Sequence, residues 1–466
     1  MYKILLCSRY LLTRYLALAC IVSVMLGVAT LIVVNSVMAG FSNKLKDRLH
    51  GLLSDVLVEA RSMEGFPDPE RHLQRIRESA IGDKIEAMTP TLEVFAMIQF
   101  RRPDNGEMLT RPVRLIGVEP EGRAAIGGFS ECLVKQKNSP RPTFEHSAEV
   151  LERLIRENRP VRPFRPSHRL DEPPPPDPPP STFKIPEGII VGHAIAHFRY
   201  KDPETGEMRE HPVLSLGDSV IVTTVSGQRM APVFDRFAVC DYFRSEMSEY
   251  DSNYVFVPLQ YLQRLRTMED RVSSIQIRLK NPADAKVVVA ELERLFPDFL
   301  YSVETWEQKQ GPLLAAISIE KGILNVLLFL IVGVAGFGIL AIFSMIVTEK
   351  TRDIGILKSL GASNAGVMSI FLGYGLLLGL SGAVLGTGLG LVFTHHINDI
   401  EQQLSRLSGH EVFDRSIYYF NEIPTHVDPW AVLLVNLGAI AIAVLFSVLP
   451  ALRAATLHPV RALRFE

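Results

Sequence analysis

Four stretches of this chain contain no Asp, Glu, Lys or Arg: Leu16–Phe41, Gly322–Val347, Val367–Phe393 and Trp430–Leu452. Each is long enough to cross a bilayer, which takes about 20 apolar residues. In lipid the backbone must satisfy its own polar groups, so such a run has to be helix. The sequence therefore predicts a polytopic α-helical membrane protein with four transmembrane helices, one N-terminal and three C-terminal. Residues 42–321, between the first and second runs, mix polar and apolar side chains and predict a large α+β domain outside the lipid. The first run exceeds the roughly 7–15 residues of a signal-peptide core, so it is expected to be a retained span.

Basic residues near the span ends set the orientation. Lys3, Arg9 and Arg14 precede the first run, Lys350, Arg352 and Lys358 follow the second, and Arg453, Arg461 and Arg464 follow the fourth. The loop Thr394–Pro429 carries Arg406 and Arg415 against Asp399, Glu401, Glu411, Asp414, Glu422 and Asp428. Both termini are thus expected in the cytoplasm, and the large domain outside. The expected boundaries are an N-terminal segment 1–15, spans at 16–41, 322–347, 367–393 and 430–452, a cytoplasmic loop 348–366, an outside loop 394–429 and a tail 453–466.

The outside domain shows two β-α-β patterns. Ser54–Arg61, Asp68–Ala80 and Leu92–Phe100 read as strand, helix and strand, with Pro112–Val118 a further strand. Val272–Leu279, Asn281–Phe296 and Leu300–Val303 repeat the order. The expectation is one subdomain from about 42–120 and 268–308, with a β-rich subdomain at about 121–267 inserted in it. Gly188–Gly192 and Leu216–Val222 mark strands of the insert. Arg159–Pro180 holds ten prolines and predicts an extended excursion. Cys132 and Cys240 both fall in this domain, either as a disulfide or as two buried free thiols.

Chemistry is sparse. A net charge of -2 gives nucleic-acid binding no bulk support. No Gly-Lys pair occurs, so this chain has no P-loop of its own. There is no H-E-x-x-H, C-x-x-C or G-x-S-x-G, and His395-His396 reads as an interfacial cap rather than a metal site. No catalytic or metal-ligating set is expected. The spans hold no ionisable Asp, Glu, Lys or Arg, which disfavours ion-coupled transport and places the energy source on another molecule.

Between the second and third runs lies Val347–Ser363, short and charged. Ile354, Leu357 and Leu360 fall on one helical stripe, Gly361 suits a helix C-cap and Ser363 an N-cap. The third run repeats small residues at Gly375, Gly379, Gly382, Gly386 and Gly390, a packing seam for another span or another protomer.

The run Glu349-Lys350-Thr351-Arg352-Asp353-Ile354-Gly355-Ile356-Leu357-Lys358-Ser359-Leu360-Gly361-Ala362-Ser363 resembles the cytoplasmic loop of FtsX-like ABC transporter permeases. Gly27–Phe41, Gly217-Asp218, Tyr250-Asp251, Thr305-Trp306, Glu320-Lys321 and Ile417–Pro424 narrow the resemblance to the lipoprotein-releasing permeases, the LolC/LolE family, within the MacB-like type VII superfamily. The resemblance implies a bacterial inner-membrane permease half with its large domain in the periplasm. It implies a separate ABC ATPase that binds ATP-Mg, a second permease protomer in a homo- or heterodimer, a lipoprotein cargo and a periplasmic carrier. Glu349, Lys350, Arg352, Asp353, Ile354, Leu357, Lys358 and Leu360 would then form the ATPase-coupling helix. Stalk-like extensions of the first two spans would transmit the stroke by mechanotransmission. Val37, Met38, Phe41 and Ile323 would meet the cargo acyl chains, and membrane lipid is a further expected partner. Ser139–Pro186 departs from the family pattern. Two other roles fit a chain of this class: a macrolide-exporter-type efflux permease, and a non-transporting scaffold that regulates cell-wall hydrolases.

Overall fold

The computed structural model describes residues 15–103, 106–157, 185–201, 208–227, 231–408 and 422–458. The proline-rich excursion 159–180, Ile417–Asn421 and the basic residues Lys3, Arg9, Arg14, Arg461 and Arg464 lie outside the described residues. The longer helices are α1 (Tyr15–Leu52), α2 (Pro69–Arg77), α3 (Ala148–Glu157), α4 (Ala285–Leu295), α5 (Gly311–Glu349), α6 (Thr351–Ser359), α7 (Asn364–His395), α8 (Ile397–Ser408) and α9 (Pro429–Thr456). The described residues fall into two compact units, one drawn from 1–46, 312–414 and 420–466, the other essentially 47–311.

The second unit is built on nine strands: β1 (Val56–Ala60), β2 (Ile85–Arg101), β3 (Met108–Val118), β4 (Glu187–Gly192), β5 (Ser219–Val225), β6 (Pro232–Phe243), β7 (Tyr254–Pro258), β8 (Ser274–Leu279) and β9 (Tyr301–Thr305). They form one sheet in the order β9-β1-β8-β2-β3-β7-β4-β6-β5. Strands β9, β1, β8 and β2 pair antiparallel, so the two β-α-β patterns interlock as split units, each receiving a strand of the other. Helix α2 buries Leu73 and Ile76, and α4 buries Val288 and Leu292. The 3.6-residue period of those apolar positions is what made both helices readable.

Two separate subdomains were expected, but the strands do not divide that way. Strand β2 is 17 residues long. Its first part, Ile85–Thr91, pairs with β8, while Met97–Gln99 on the same edge pairs with β5. Since β5 follows β6, β4, β7 and β3 back to β2, six strands close into a barrel. The barrel interior alternates along each strand, as a pleat requires: Ala96, Ile98 and Phe100 from β2, Val220 and Val222 from β5, Val255 and Val257 from β7. The β-rich part thus shares β2 and β3 with the sheet to which it was expected to be an insertion.

Asp55 ties the ends of this unit together. Its carboxylate is buried, receives the Leu279 backbone N–H at 2.7 Å and faces His50 Nε2 at 2.7 Å. Its carbonyl accepts from the Trp306 N–H at 3.2 Å, and the Trp306 ring packs on His50 at 5.6 Å. Both thiols of the unit, Cys132 and Cys240, are free. Burial pushes Cys132 up to about 12 and raises Cys240 as well, which leaves little thiolate for oxidation or exchange.

Asp251 is fully buried and accepts from the Ser245 N–H at 2.6 Å and the Ser245 hydroxyl at 2.7 Å. Burial pushes its carboxyl up to about 6, and the Ser245 bonds only partly oppose it. A raised carboxylate pKa contributes stability that is present below the unfolded value of about 3.9 and is lost as pH rises through about 6. Asp251→Asn keeps the acceptor oxygen and removes the charge. We expect the variant to lose a pH dependence on the order of 2 kcal/mol between pH 4 and 7. Denaturant melts of both proteins in detergent across that range check this; parallel pH profiles would contradict it.

In the first unit, α1, α5, α7 and α9 are long and apolar enough to cross a membrane. Helices α1 and α5 run beyond their charge-free stretches, through Lys44–Arg48 and Glu320-Lys321 respectively. Cys20, Val24, Val28, Val332, Ile339, Phe343, Tyr374 and Ala443 form the common core.

Candidate functional site

The glycines of α7 are used inside the chain. A Cβ on Gly375 would come within 2.6 Å of Ser447 Oγ, and one on Gly379 within 2.8 Å of Ala443 Cβ, both on α9. Gly382, Gly386 and Gly390 instead face α1, where a Cβ would stand 2.7 Å from Val24 Cβ, 2.7 Å from the Met25 carbonyl oxygen and 3.2 Å from Ala29 Cα. One helix therefore seats two neighbours on successive parts of one small-residue row. Thr387 adds a hydrogen bond to Asn436 Oδ1 of α9 at 3.0 Å.

The charged segment after α5 forms α6, with both expected caps in place. Gly361 has φ +96, the left-handed conformation that glycine adopts freely, and Ser363 Oγ accepts the Gly366 N–H at 3.1 Å. The expected apolar stripe splits. Ile354 is buried against Val347, Val367 and Ala454. Leu357 and Leu360 are exposed, Leu360 at 80%. Steps of three residues fall about 60° short of a full turn, so two steps carry the stripe away from the packed face. Arg352, Asp353, Ile356 and Leu357 lie on the exposed side with Glu349 and Leu360.

The two lysines do different work from that ridge. Lys350 pairs with Asp353 at 2.7 Å. Lys358 Nζ donates to the Ala455 and Leu457 carbonyl oxygens, each at 2.7 Å. It was expected on the coupling surface; here it satisfies the carbonyls at the end of α9, a favourable place for a cation. Lys358 thereby ties α6 to the last helix.

A second constellation was missed from sequence. Gly40, at the end of the first-span motif, meets Pro424 of the last-loop motif. A Cβ there would lie 2.4 Å from the Pro424 carbonyl oxygen. The His426 N–H donates to the Ser36 carbonyl at 2.9 Å, and Asn398 Oδ1 accepts the Ile423 N–H at 2.8 Å. Ala39-Gly40 offered a signal, a small pair at the end of an apolar run, but its partner is hundreds of residues away. Val37, Met38 and Phe41 are half-buried near this junction in α1, and Ile323 of α5 is 57% exposed. At the C-terminal end of α7, beside Asn398, His396 Nδ1 sits 3.0 Å from Asp399.

The membrane unit thus carries four helices long and apolar enough to cross a bilayer, with α6 between the second and third of them. Residues 325–459 match the model of the FtsX-like permease C-terminal family. The particular resemblance is to the lipoprotein-releasing permeases. The chain is 25% identical to "Lipoprotein-releasing system transmembrane protein LolC" of Xylella fastidiosa, covering 97% of this chain and 94% of that protein. It is 23% identical to the LolE counterpart of Haemophilus influenzae over 95% of this chain and 92% of that one. An "Uncharacterized ABC transporter permease YknZ" of Bacillus subtilis is 26% identical over 47% of this chain and 51% of its own length. The periplasmic region of MacB from Actinobacillus actinomycetemcomitans is 10% identical and covers 58% of this chain and 97% of its own, with a TM-score of 0.29, too low to carry an assignment.

Proposed function

We propose that this chain is the permease subunit of an ABC transporter that releases lipoproteins from the inner membrane to a periplasmic carrier. The observation that carries this is its similarity to LolC and LolE over nearly the full length of both partners. In this reading the ATPase is a separate chain that binds ATP-Mg, and the permease has no catalytic residue of its own. The exposed ridge of α6, with Glu349, Arg352, Asp353, Ile356, Leu357 and Leu360, receives that ATPase. Lys350 and Ile354 hold the ridge in shape, and Lys358 passes its displacement to α9. Both termini face the cytoplasm and residues 47–311 the periplasm. The lengths of α1 and α5, 38 and 39 residues, support stalks that carry the stroke outward by mechanotransmission, because a bilayer core about 30 Å thick needs only about 20 residues. A second protomer completes the membrane part, and Val37, Met38, Phe41 and Ile323 contact the acyl chains.

Depletion of the protein tests the reading. Lipoproteins bound for the outer membrane should accumulate in inner-membrane fractions within the depletion period. Unchanged lipoprotein sorting would refute it, and a change in drug tolerance or in cell-wall cleavage alone would point to an exporter or a hydrolase-regulating scaffold.

A further inference from the structure

Helices α1, α5 and α9 enclose a cleft of about 280 Å³ within the membrane unit. Its walls are apolar, with Phe329, Val332 and Val435 among them, and its rim holds Asn35, Lys321 and His426. The rim and the walls lie at different depths by sequence. Lys321 immediately precedes the charge-free run Gly322–Val347, and Asp428 precedes the run from Trp430. Asn35 lies toward the outer end of the first run. The rim therefore sits at the level of lipid headgroups, and the walls descend into the hydrocarbon layer. Asp428, also at the rim, is engaged as the N-cap of α9, accepting the Trp430 N–H at 3.0 Å. Its carboxylate is thus directed to the helix end, while Lys321 supplies a cation.

We propose that this cleft holds one acyl chain of a bilayer phospholipid, with the lipid phosphate at Lys321. The volume is below the roughly 300–1,000 Å³ of a pocket for a drug-sized ligand, which suits a single chain and not a multi-chain anchor. None of Val37, Met38, Phe41 and Ile323 lines it: on α1 the lining row Leu31, Asn35 and Ala39 follows i, i+4, i+8, Val37 and Phe41 lie about half a turn away, and Met38 borders the row beside Leu31. The cleft thus adjoins the surface assigned above to cargo only at Met38, and its occupation does not depend on the lipoprotein reading. A resident lipid there would wedge α5 against α9 at the outer end of the bundle.

The full chain in phosphatidylethanolamine–phosphatidylglycerol vesicles, carrying a phosphatidylglycerol with a photoreactive acyl chain, tests this. Labelling is expected on peptides from 321–332 and 431–439. Lys321→Glu should cut it about fivefold, the effect of one lysine at an anionic surface, and Lys321→Arg should retain it. Gly438→Phe should also reduce it, since a Cβ at Gly438 meets only Phe329, at 3.7 Å, and the ring would grow into the cleft. Labelling elsewhere, or labelling indifferent to all three variants, would overturn the proposal. So would preferential labelling of these peptides by a photoreactive acylated peptide that lacks phosphate, which would assign the cleft to cargo.

Discussion

Leu357→Asp should abolish the coupling of ATP hydrolysis to transport while leaving the permease folded. Leu357 stands on the exposed side of α6, so a carboxylate there costs the isolated chain little. At an interface with an ATPase the same carboxylate would be desolvated without a partner. A buried anchor residue is worth about 2 kcal/mol or more when truncated, and a charge in its place costs more than truncation. Association should weaken at least about thirtyfold, and transport-linked ATPase activity should fall with it. Ile354→Asp is the contrasting variant. It places the charge among Val347, Val367 and Ala454, and should destabilise the packing of α6 on its neighbours whether or not an ATPase is present. Pull-down of the ATPase and thermal melting of the permease separate the two. If Leu357→Asp binds and couples normally, α6 is only a connector at the headgroups.

Gly40→Leu should disable the permease from the opposite end. Even the Cβ of Gly40→Ala would stand 2.4 Å from a backbone oxygen, and backbone cannot swing aside as a long side chain can. Either α1 or the Pro424–Thr425 segment has to move, at a cost of about 3 kcal/mol for Leu, the upper range for overpacking. The movement should also break the His426 N–H bond to Ser36 at 2.9 Å. Gly333→Ala is the control, since nothing lies within 4 Å of a Cβ there. Melting in detergent should show a large loss for Gly40→Leu, a smaller one for Gly40→Ala and none for Gly333→Ala. Equal behaviour of the three would mean that the contact between the two motifs is not maintained.

These two sites differ in how far the sequence revealed them. The four membrane helices were legible because exclusion of charge over some 20 residues has one main cause. In residues 47–311, β1, β3, β8, β9, α2 and α4 were legible from periods of two and 3.6, and β4 and β5 from glycine-marked runs, whereas β6, β7 and α3 were not read. The double pairing of β2 was not, since nothing in Ile85–Arg101 announces that its edge changes partner between Thr91 and Met97. The caps of α6 could be read from Gly361 and Ser363, whose chemistry is local. The division of its apolar residues could not, because burial of Ile354 depends on Val367 and Ala454 in other helices. Lys358 was readable as a basic residue between two apolar runs, but its attachment to α9 required the fold. The glycine row of α7 announced close packing without saying against what. The structure gives α9 for two of the five and α1 for the other three.

In the proposed function, ATP hydrolysis on another chain drives lipoprotein release through this permease. Its most direct test is release from proteoliposomes containing the permease, its partner protomer and the ATPase, loaded with a labelled acylated lipoprotein and supplied with an acceptor carrier. Transfer of the lipoprotein to the soluble carrier should require ATP and be lost with Leu357→Asp. Active ATP hydrolysis with the lipoprotein left in the membrane would contradict it.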